Sequence, residues 1–395
     1  ARLSIIDLSD AANQPMEYSD LAIVFNGEVY NFQEIRNELE SKGHQFKLHS
    51  DTEVILHAYK EWGVNCVNRF IGMFSFAILD KGKGELLLFR DRAGVKPLYY
   101  YQNEKTFIFA SELKEMYVHP QFHKQIDMEA VALYFKFGYV PAPHAIFQGV
   151  RKLMPGHYLK YNIKRRTFTI HQYWNVMDFY EKPKLKISYN EAKDELRNIL
   201  KSAFEYRMVA DVPVGVFLSG GYDSVGVTAM LQKDRTEKLK TFTIGFPVGN
   251  NEAPVAKEIA HYLDTEHTEY ICTYNDCREI LPNLSFYYDE PFSDNSAVPT
   301  ILVSQLARQK VKVALSADAG DETFAGYNSY VSLAKVLKFM KPIKHVKSSF
   351  LSNVIEEANK MVSPYSFLRD KVEYFGKLLR YDDWFRVAVA FEGGG

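Results

Sequence analysis

The six residues Ser219-Gly220-Gly221-Tyr222-Asp223-Ser224 constrain this chain more than any others. The apolar run Val212 to Leu218 before them reads as a buried strand. Val225 to Leu231 after them reads as the first turns of a helix. A strand, a glycine turn and a helix N-terminus together form an anion site, because backbone N–H groups point outward there and the helix dipole favours negative charge. Gly220 and Gly221 let the backbone approach a phosphate, since neither has a Cβ in the way. Ser219 and Ser224 add hydroxyl donors. Asp223 is the odd member: a carboxylate beside phosphates is repulsive unless a cation lies between, which points to Mg2+. No Lys-Ser or Lys-Thr follows the glycines and no G-x-G-x-x-G is present, so this is neither the P-loop nor the dinucleotide fingerprint. Ser219 also lacks the glycine spacing of a nucleophile elbow.

The pattern around this loop alternates strand and helix. Thr241 to Phe246 leads to a helix over Ala253 to Leu263, and Val311 to Leu315 is a further strand. This predicts an open parallel sheet with ligands at its C-terminal strand ends. A capping box at Ser188 to Glu191 opens the region, with Ala192, Leu196, Ile199, Leu200 and Ala203 as a buried stripe. The front of the chain reads differently. Leu21 to Phe25, Met73 to Leu79, Glu85 to Phe89, Leu98 to Tyr101 and Phe107 to Ala110 are short strands, two of them joined by the hairpin turn Lys81 to Gly84. Helices are expected over Phe32 to Ser41 and from a second capping box, Ser50 to Glu53. The lysine-rich segment Asp178 to Lys186 separates a strand-rich α+β domain, residues 1–177, from an α/β domain, residues 187–395.

With 395 residues there is room for two cores. A net charge of -1 gives no global field for nucleic acid or an anionic membrane, and no apolar run is long enough to span one. Cys66, Cys272 and Cys277 have no metal spacing; they read as buried thiols of a cytoplasmic protein.

Ser219 to Ser224 resembles the SGGxDS signature of the ATP pyrophosphatases, and the whole chain resembles the glutamine-hydrolysing asparagine synthetases, class II amidotransferases. The segments that carry this are Arg2 to Leu8 (RLSIIDL), Asn26 to Asn31 (NGEVYN), Ser50 to Glu53 (SDTE), Arg90 to Tyr100 (RDRAGVKPLYY) and Ser316 to Glu322 (SADAGDE). The resemblance implies an N-terminal-nucleophile hydrolase sandwich (αββα) followed by an adenine-nucleotide α-hydrolase-like parallel-sheet domain. It also implies glutamine, aspartate and ATP as substrates, Mg2+ as cofactor, and a homodimer.

By resemblance, Arg2 pairs with the glutamine α-carboxylate, and Leu3, Ser4, Ile5 and Ile6 offer backbone contacts. Asp51 takes the α-ammonium with Glu28 near it, and Asn26 with the Gly27 N–H forms the oxyanion hole. The family's nucleophile, an N-terminal cysteine whose own amine is the base, has no counterpart here, because the sequence opens on Ala1. A missing segment is the expectation. In the back half, Phe217 or Leu218, and Ile244, would wall the adenine and offer backbone hydrogen bonds, Ser316 and Ala317 would touch the nucleotide, and Asp223 would hold Mg2+. Asp318, Asp321 and Glu322 would handle aspartate and ammonia. Asp289-Glu290-Pro291 and Asp294-Asn295-Ser296 resemble a segment beside that site.

Two departures are visible. Ala317 and Ala319 stand where the family has glycine, at a cost of about 1 kcal/mol wherever φ must be positive. The family's later lysine motif has no match after Ser329, Lys371-Val372-Glu373 being a superficial echo; a shortened C-terminus or missing internal stretches are expected. Three readings stay open: an asparagine synthetase, a relative that amidates a sugar acid or closes a ring, and a silent nucleotide- or amino-acid-binding protein.

Overall fold

The computed structural model describes residues 5–247, 249 and 251–340. They divide between Ser316 and Ala317 into two compact units. Arg2, Leu3, Ser4, and Lys371 to Glu373 lie outside the described residues.

The first unit opens with β1 (Met16–Tyr18), β2 (Leu21–Val29), α1 (Phe32–Ser41), α2 (Asp51–Trp62), β3 (Gly72–Asp80), β4 (Glu85–Arg90), β5 (Tyr99–Gln102), β6 (Phe107–Ala110), α3 (Leu113–Met116), α4 (Met128–Phe137), β7 (Val150–Lys152), β8 (His157–Asn162) and β9 (Thr167–Gln172). Its strands form an antiparallel sheet, β1-β2-β3-β4-β8-β9, and a smaller one, β6-β5-β7. Period-two alternation sorts the side chains into layers. Phe74, Phe76 and Ile78 of β3, with Leu87 and Phe89 of β4, face α1 and α2. Ala77 and Leu88 on the opposite face meet Tyr100 of the second sheet and Leu98 just before it. Tyr101 and Ala110 then pack on Leu113, Met116 and Ala130 of α3 and α4. The result is the expected αββα sandwich. Its outer core is aromatic, with Phe76 stacked on Phe89 at 4.6 Å, a geometry worth about 1 kcal/mol beyond the buried area.

Beyond α5 (Met177–Tyr180) and α6 (Tyr189–Tyr206) come β10 (Val214–Phe217), α7 (Tyr222–Gln232), β11 (Lys240–Gly245), α8 (Ala253–Tyr262), β12 (Glu266–Ile271), α9 (Tyr274–Ile280), α10 (Leu284–Tyr287), α11 (Ala297–Arg308) and β13 (Val313–Leu315). The strands make a parallel sheet ordered β12-β11-β10-β13, as the alternation predicts. Leu218 packs under Ala256 and Ala260 of α8, and Phe242 packs on Ala307 of α11, so helices cover both faces. The second unit contributes α12 (Gly320–Phe324) and α13 (Asn328–Met340).

Three local expectations are corrected. The Ser188–Glu191 capping box forms, but the stripe behind it is not buried: Leu196 is 39% and Ile199 58% exposed. Among the described residues α6 has an apolar face without a full cover. The Ser50 box forms only in part. Ser50 accepts from Thr52 N, while the Glu53 carboxylate turns away to the amides of Lys47 and Leu48, which have no other partner in that turn. Cys66 and Cys272 are buried, whereas Cys277 is half-buried.

Candidate active sites

Asn26 and Gly27 lie within β2, not in a turn. Gly27 pairs with Phe74 of β3, whose own N–H and C=O bond Asp91 on the other side. The Gly27 N–H therefore points away from β3, toward an edge that β1 does not reach, because β1 pairs only with Leu21 to Ile23. Its neighbours on that edge are already in use: Phe25 N–H donates to Gln14 Oε1 at 2.7 Å and Val29 N–H to Asp51 Oδ2 at 3.0 Å. Glycine is required here. Gly27 has φ +130°, and a Cβ would stand 2.0 Å from the Met73 carbonyl oxygen; one on Gly72 would stand 2.2 Å from that of Glu28.

The Asp51 carboxylate, 3% exposed at the start of α2, is hydrogen-bonded to Glu28. Burial pushes its pKa up to about 6, against the pull of the Val29 amide. Two buried carboxyls sharing a hydrogen bond concentrate negative charge at this edge, where a cationic group could pair with it. Tyr30, beside them, is pushed up to about 12 by burial. The half-buried Lys96 ammonium, near Glu28 and Asp91, is held below its usual range by desolvation. Lys96 was legible only as part of the Arg90 to Tyr100 segment. Asp91 and Arg90 brace the segment's backbone: Asp91 accepts from Ala93, Val95 and Lys96 N–H groups, and Arg90 donates to the carbonyls of Gly94, Lys96 and Leu153.

The Asn26 amide faces a pocket of about 240 Å³ between the two sheets, lined also by Ser75, Leu98, Ser111 and Glu115, and donates to Ser111 Oγ at 3.0 Å. Ile6 is buried and Ile5 partly so. The segment Ile5 to Asp7 is held by Asp211: Asp211 N–H donates to Ile5 O at 2.9 Å, and Asp7 N–H to Asp211 Oδ2 at 2.8 Å.

The second site lies at the C-terminal end of β10. Ser219 to Gly221 form the turn and Tyr222 starts α7. The two serines bond each other: Ser224 Oγ lies 2.8 Å from Ser219 Oγ and accepts from Ser219 N–H. Gly221 N–H donates to Ser219 Oγ, and Gly220 N–H to the Glu252 carboxylate at 3.2 Å. A side-chain carboxylate thus rests on a loop amide. Glu252 was missed as a site residue; only its place in the Val248 to Glu252 join drew notice. Asp223 is half-buried, and among the described residues no hydrogen bond or ion pair engages it. Leu218 is core rather than wall, so only its backbone can face a ligand; its N–H is bonded to Phe242 O. Phe217 packs near Phe242, and Ile244 near Cys272 and Ile301. Ser316 ends the first unit and is exposed.

Within the second unit, Ala319 caps α12 at φ +70°, whereas Ala317 is not in the left-handed region. Asp321 and Glu322 occupy the first turn of α12, and Glu322 accepts from Tyr327 OH at 2.9 Å. Asp318 is exposed just before them. Among the described residues no cluster of three or more acidic, histidine or cysteine side chains forms a metal cage, and no helix is long and apolar enough to cross a membrane.

An αββα sandwich joined to a parallel sheet with a glycine turn at a C-terminal strand end defines the architecture of a glutamine amidotransferase carrying a second, α/β domain. Residues 1–174 match the glutamine amidotransferase domain family and residues 195–382 the asparagine synthase family, a match that continues well past Ser329. A Methanocaldococcus jannaschii protein provisionally named asparagine synthetase [glutamine-hydrolyzing] 2 is 38% identical over 370 residues, covering 87% of this chain and 70% of that protein. Asparagine synthetase [glutamine-hydrolyzing] 1 of Bacillus subtilis is 38% identical over 336 residues, 83% of this chain and 51% of its own length. The chain belongs to the glutamine-hydrolysing asparagine synthetase family. It spans about half the length of the Bacillus relatives.

Proposed function

We propose that this protein is a glutamine-dependent amide synthetase whose acceptor is aspartate. Glutamine is hydrolysed to glutamate and ammonia at the β2 edge. At the second site the acceptor carboxylate attacks the α-phosphorus of ATP, forming an acyl-adenylate and releasing pyrophosphate. Ammonia then displaces AMP to give the amide. The observation that carries this reading is the presence in one compact unit of a buried carboxyl pair at a glycine-tight strand edge and a loop amide already holding an anion. A glutaminase alone needs only the first.

In this reading Asp51 and Glu28 receive the glutamine α-ammonium, with Arg2 and the backbone of Leu3 to Ile6 at the α-carboxylate. The Gly27 N–H and the Asn26 amide receive the developing oxyanion. Cys66 is no candidate for the nucleophile, since it is buried without exposure and burial raises its thiol pKa. Ser219 to Ser224, with the backbone at Phe217, Leu218, Ile244 and Ser316, binds ATP. Asp223 suits Mg2+: it is one unengaged carboxylate beside a phosphate loop, and Mg2+ takes one or two carboxylates plus phosphate oxygens. Mg2+ there would neutralise the charge on the departing pyrophosphate. Asp318, Asp321 and Glu322 orient the acceptor and ammonia. Aspartate as acceptor rests on the names of the relatives and on the SADAGDE segment.

The test is pyrophosphate release by full-length protein with ATP, Mg2+ and a panel of carboxylic acids. Aspartate should stand out; a background-level signal with aspartate and a strong one with another acid would reassign the acceptor. Asp223→Ala should abolish pyrophosphate release and spare glutamine hydrolysis. Loss of both activities in folded protein would contradict separate sites.

A further inference from the structure

The functional reading leaves one buried contact without a purpose. Asp289 and Glu290 follow α10, yet their side chains end against the amidotransferase sheets. Glu290 is 12% exposed and pairs through Oε2 with Lys152 Nζ at 2.5 Å, Lys152 itself being 14% exposed. The same carboxylate accepts from Tyr99 OH at 3.2 Å and from Ile146 N–H at 2.8 Å. Lys152 Nζ also donates to Val140 O. Asp289 faces Lys114 Nζ at 3.3 Å, and Ser293 N–H donates to Gly138 O at 2.7 Å.

Desolvating an acid and a base costs more than an exposed pair returns, so added stability is a poor reason for this arrangement. The best-attested use of such a pair is to fix register. The elements registered here are specific. Tyr99 and Lys114 are chain neighbours of Leu98 and Glu115, which wall the pocket holding Asn26. On the other side, Glu290 leads through residues 291–296 into α11, which backs β11. Tyr99 and Lys152 are already cross-strand partners in β5 and β7, and the carboxylate joins the Ile146 segment to them.

We propose that Glu290, with Asp289 beside it, is a positioning residue that couples the two reactions. It holds the wall of the Asn26 pocket in register with the nucleotide-binding sheet, so that ammonia released at one site is consumed at the other and not lost to solvent. The inference rests on the glutamine-dependent reading above.

The experiment uses full-length protein with its native N-terminus, as wild type, Glu290→Gln, Lys152→Met and Lys152→Arg. It measures glutamate production, pyrophosphate release with ammonium chloride as the nitrogen source, and glutamate formed per amide with glutamine as the sole source. The first two should stay within about twofold of wild type, while glutamate per amide rises about fivefold or more in Glu290→Gln and Lys152→Met. Lys152→Arg, which keeps the charge, should stay near wild type. Deuterium exchange at the Ile146 amide should quicken in Glu290→Gln. An unchanged ratio in both charge-removing variants overturns the proposal, as does a fall of all three measures by one common factor. If Glu290→Gln does not fold, the two Lys152 variants decide on the same criteria. A wild type that makes neither glutamate nor pyrophosphate is a different result: it removes the functional reading itself, and this proposal with it.

Discussion

Asp51 and Asp223 are both acidic residues in the first turn of a helix, and the protein treats them in opposite ways. Asp51 is buried, hydrogen-bonded to Glu28 and to the Val29 amide, and held by a strand pair whose glycines leave no room for a Cβ. Asp223 stands half-exposed beside a loop whose donors are occupied by its own serines and by Glu252. The first site is built before any ligand arrives, and its cost is already present in the folded protein. The second satisfies itself, and any anion bound there would have to displace internal bonds. A small ligand whose ammonium must be desolvated needs the first kind of site; a highly charged triphosphate, well hydrated and large, can be met by the second.

The sharpest way to break this contrast is at Gly27. Gly27→Ala would place a methyl group 2.0 Å from the Met73 carbonyl at φ +130°, and should destabilise the first unit by about 4 kcal/mol. Gly221→Ala, whose Cβ would meet only the Ser219 hydroxyl at 3.3 Å, should cost far less. Urea unfolding of both variants checks this. Equal effects would mean that the β2 edge is no more rigid than the loop.

Asp51→Asn tests the next largest effect, and here stability and function should move apart. The folded pKa of about 6 lies above the ordinary carboxylate value of 3.8, so between the two the folded state keeps a proton that the unfolded state has released. The stabilisation this brings is complete below pH 3.8 and is lost as pH rises through about 6. Asparagine does not titrate and can still accept from Val29 N–H. Asp51→Asn should therefore be more stable than wild type at pH 7.5, by about 2 kcal/mol, with the advantage fading toward pH 4. Glutamine binding should be lost. Thermal unfolding at the two pH values, together with calorimetric titration of glutamine, gives the answer. A variant less stable at pH 7.5 would mean that Asp51 is a structural cap and not a prepaid ligand.

What could be read from the sequence followed the same division. The turn Ser219 to Gly221 was legible because its logic is local: strand, glycines and helix start lie within a dozen residues, and hydrogen bonds inside that span define the turn. The sandwich was legible from alternation, since Phe74, Phe76 and Ile78 against Ser75 and Ala77 can only mean a strand with two differently covered faces. The strand-edge site was less so. Asn26-Gly27 has the local look of a turn, and only β3, some fifty residues later in the chain, shows that the glycine is there to let two strands approach. Ser50 and Glu53 have the spacing of a capping box, yet Glu53 finds better-placed donors at Lys47 and Leu48. Glu290 carries no local sign of its role, because its partners Tyr99, Ile146 and Lys152 are more than a hundred residues away.

The smallest effect concerns the second unit, where the sequence itself predicted strain. Ala319 occupies a left-handed conformation, φ +70° and ψ 11°, from which its carbonyl accepts from both Thr323 N–H and Thr323 Oγ1 at the start of α12. An L-residue with a Cβ pays for that conformation, whereas glycine does not. Ala319→Gly should raise the stability of the second unit by up to about 1 kcal/mol, less whatever glycine's extra unfolded-state entropy returns. The control is Ala317→Gly, which relieves no positive φ and should be neutral or destabilising. Hydrogen exchange at the Thr323 amide reads the local effect directly. Slower exchange in Ala319→Gly alone would show that the strain is real and confined to the cap, next to Asp321 and Glu322. Equal behaviour of the two variants would show that the neighbouring backbone absorbs the alanine without cost.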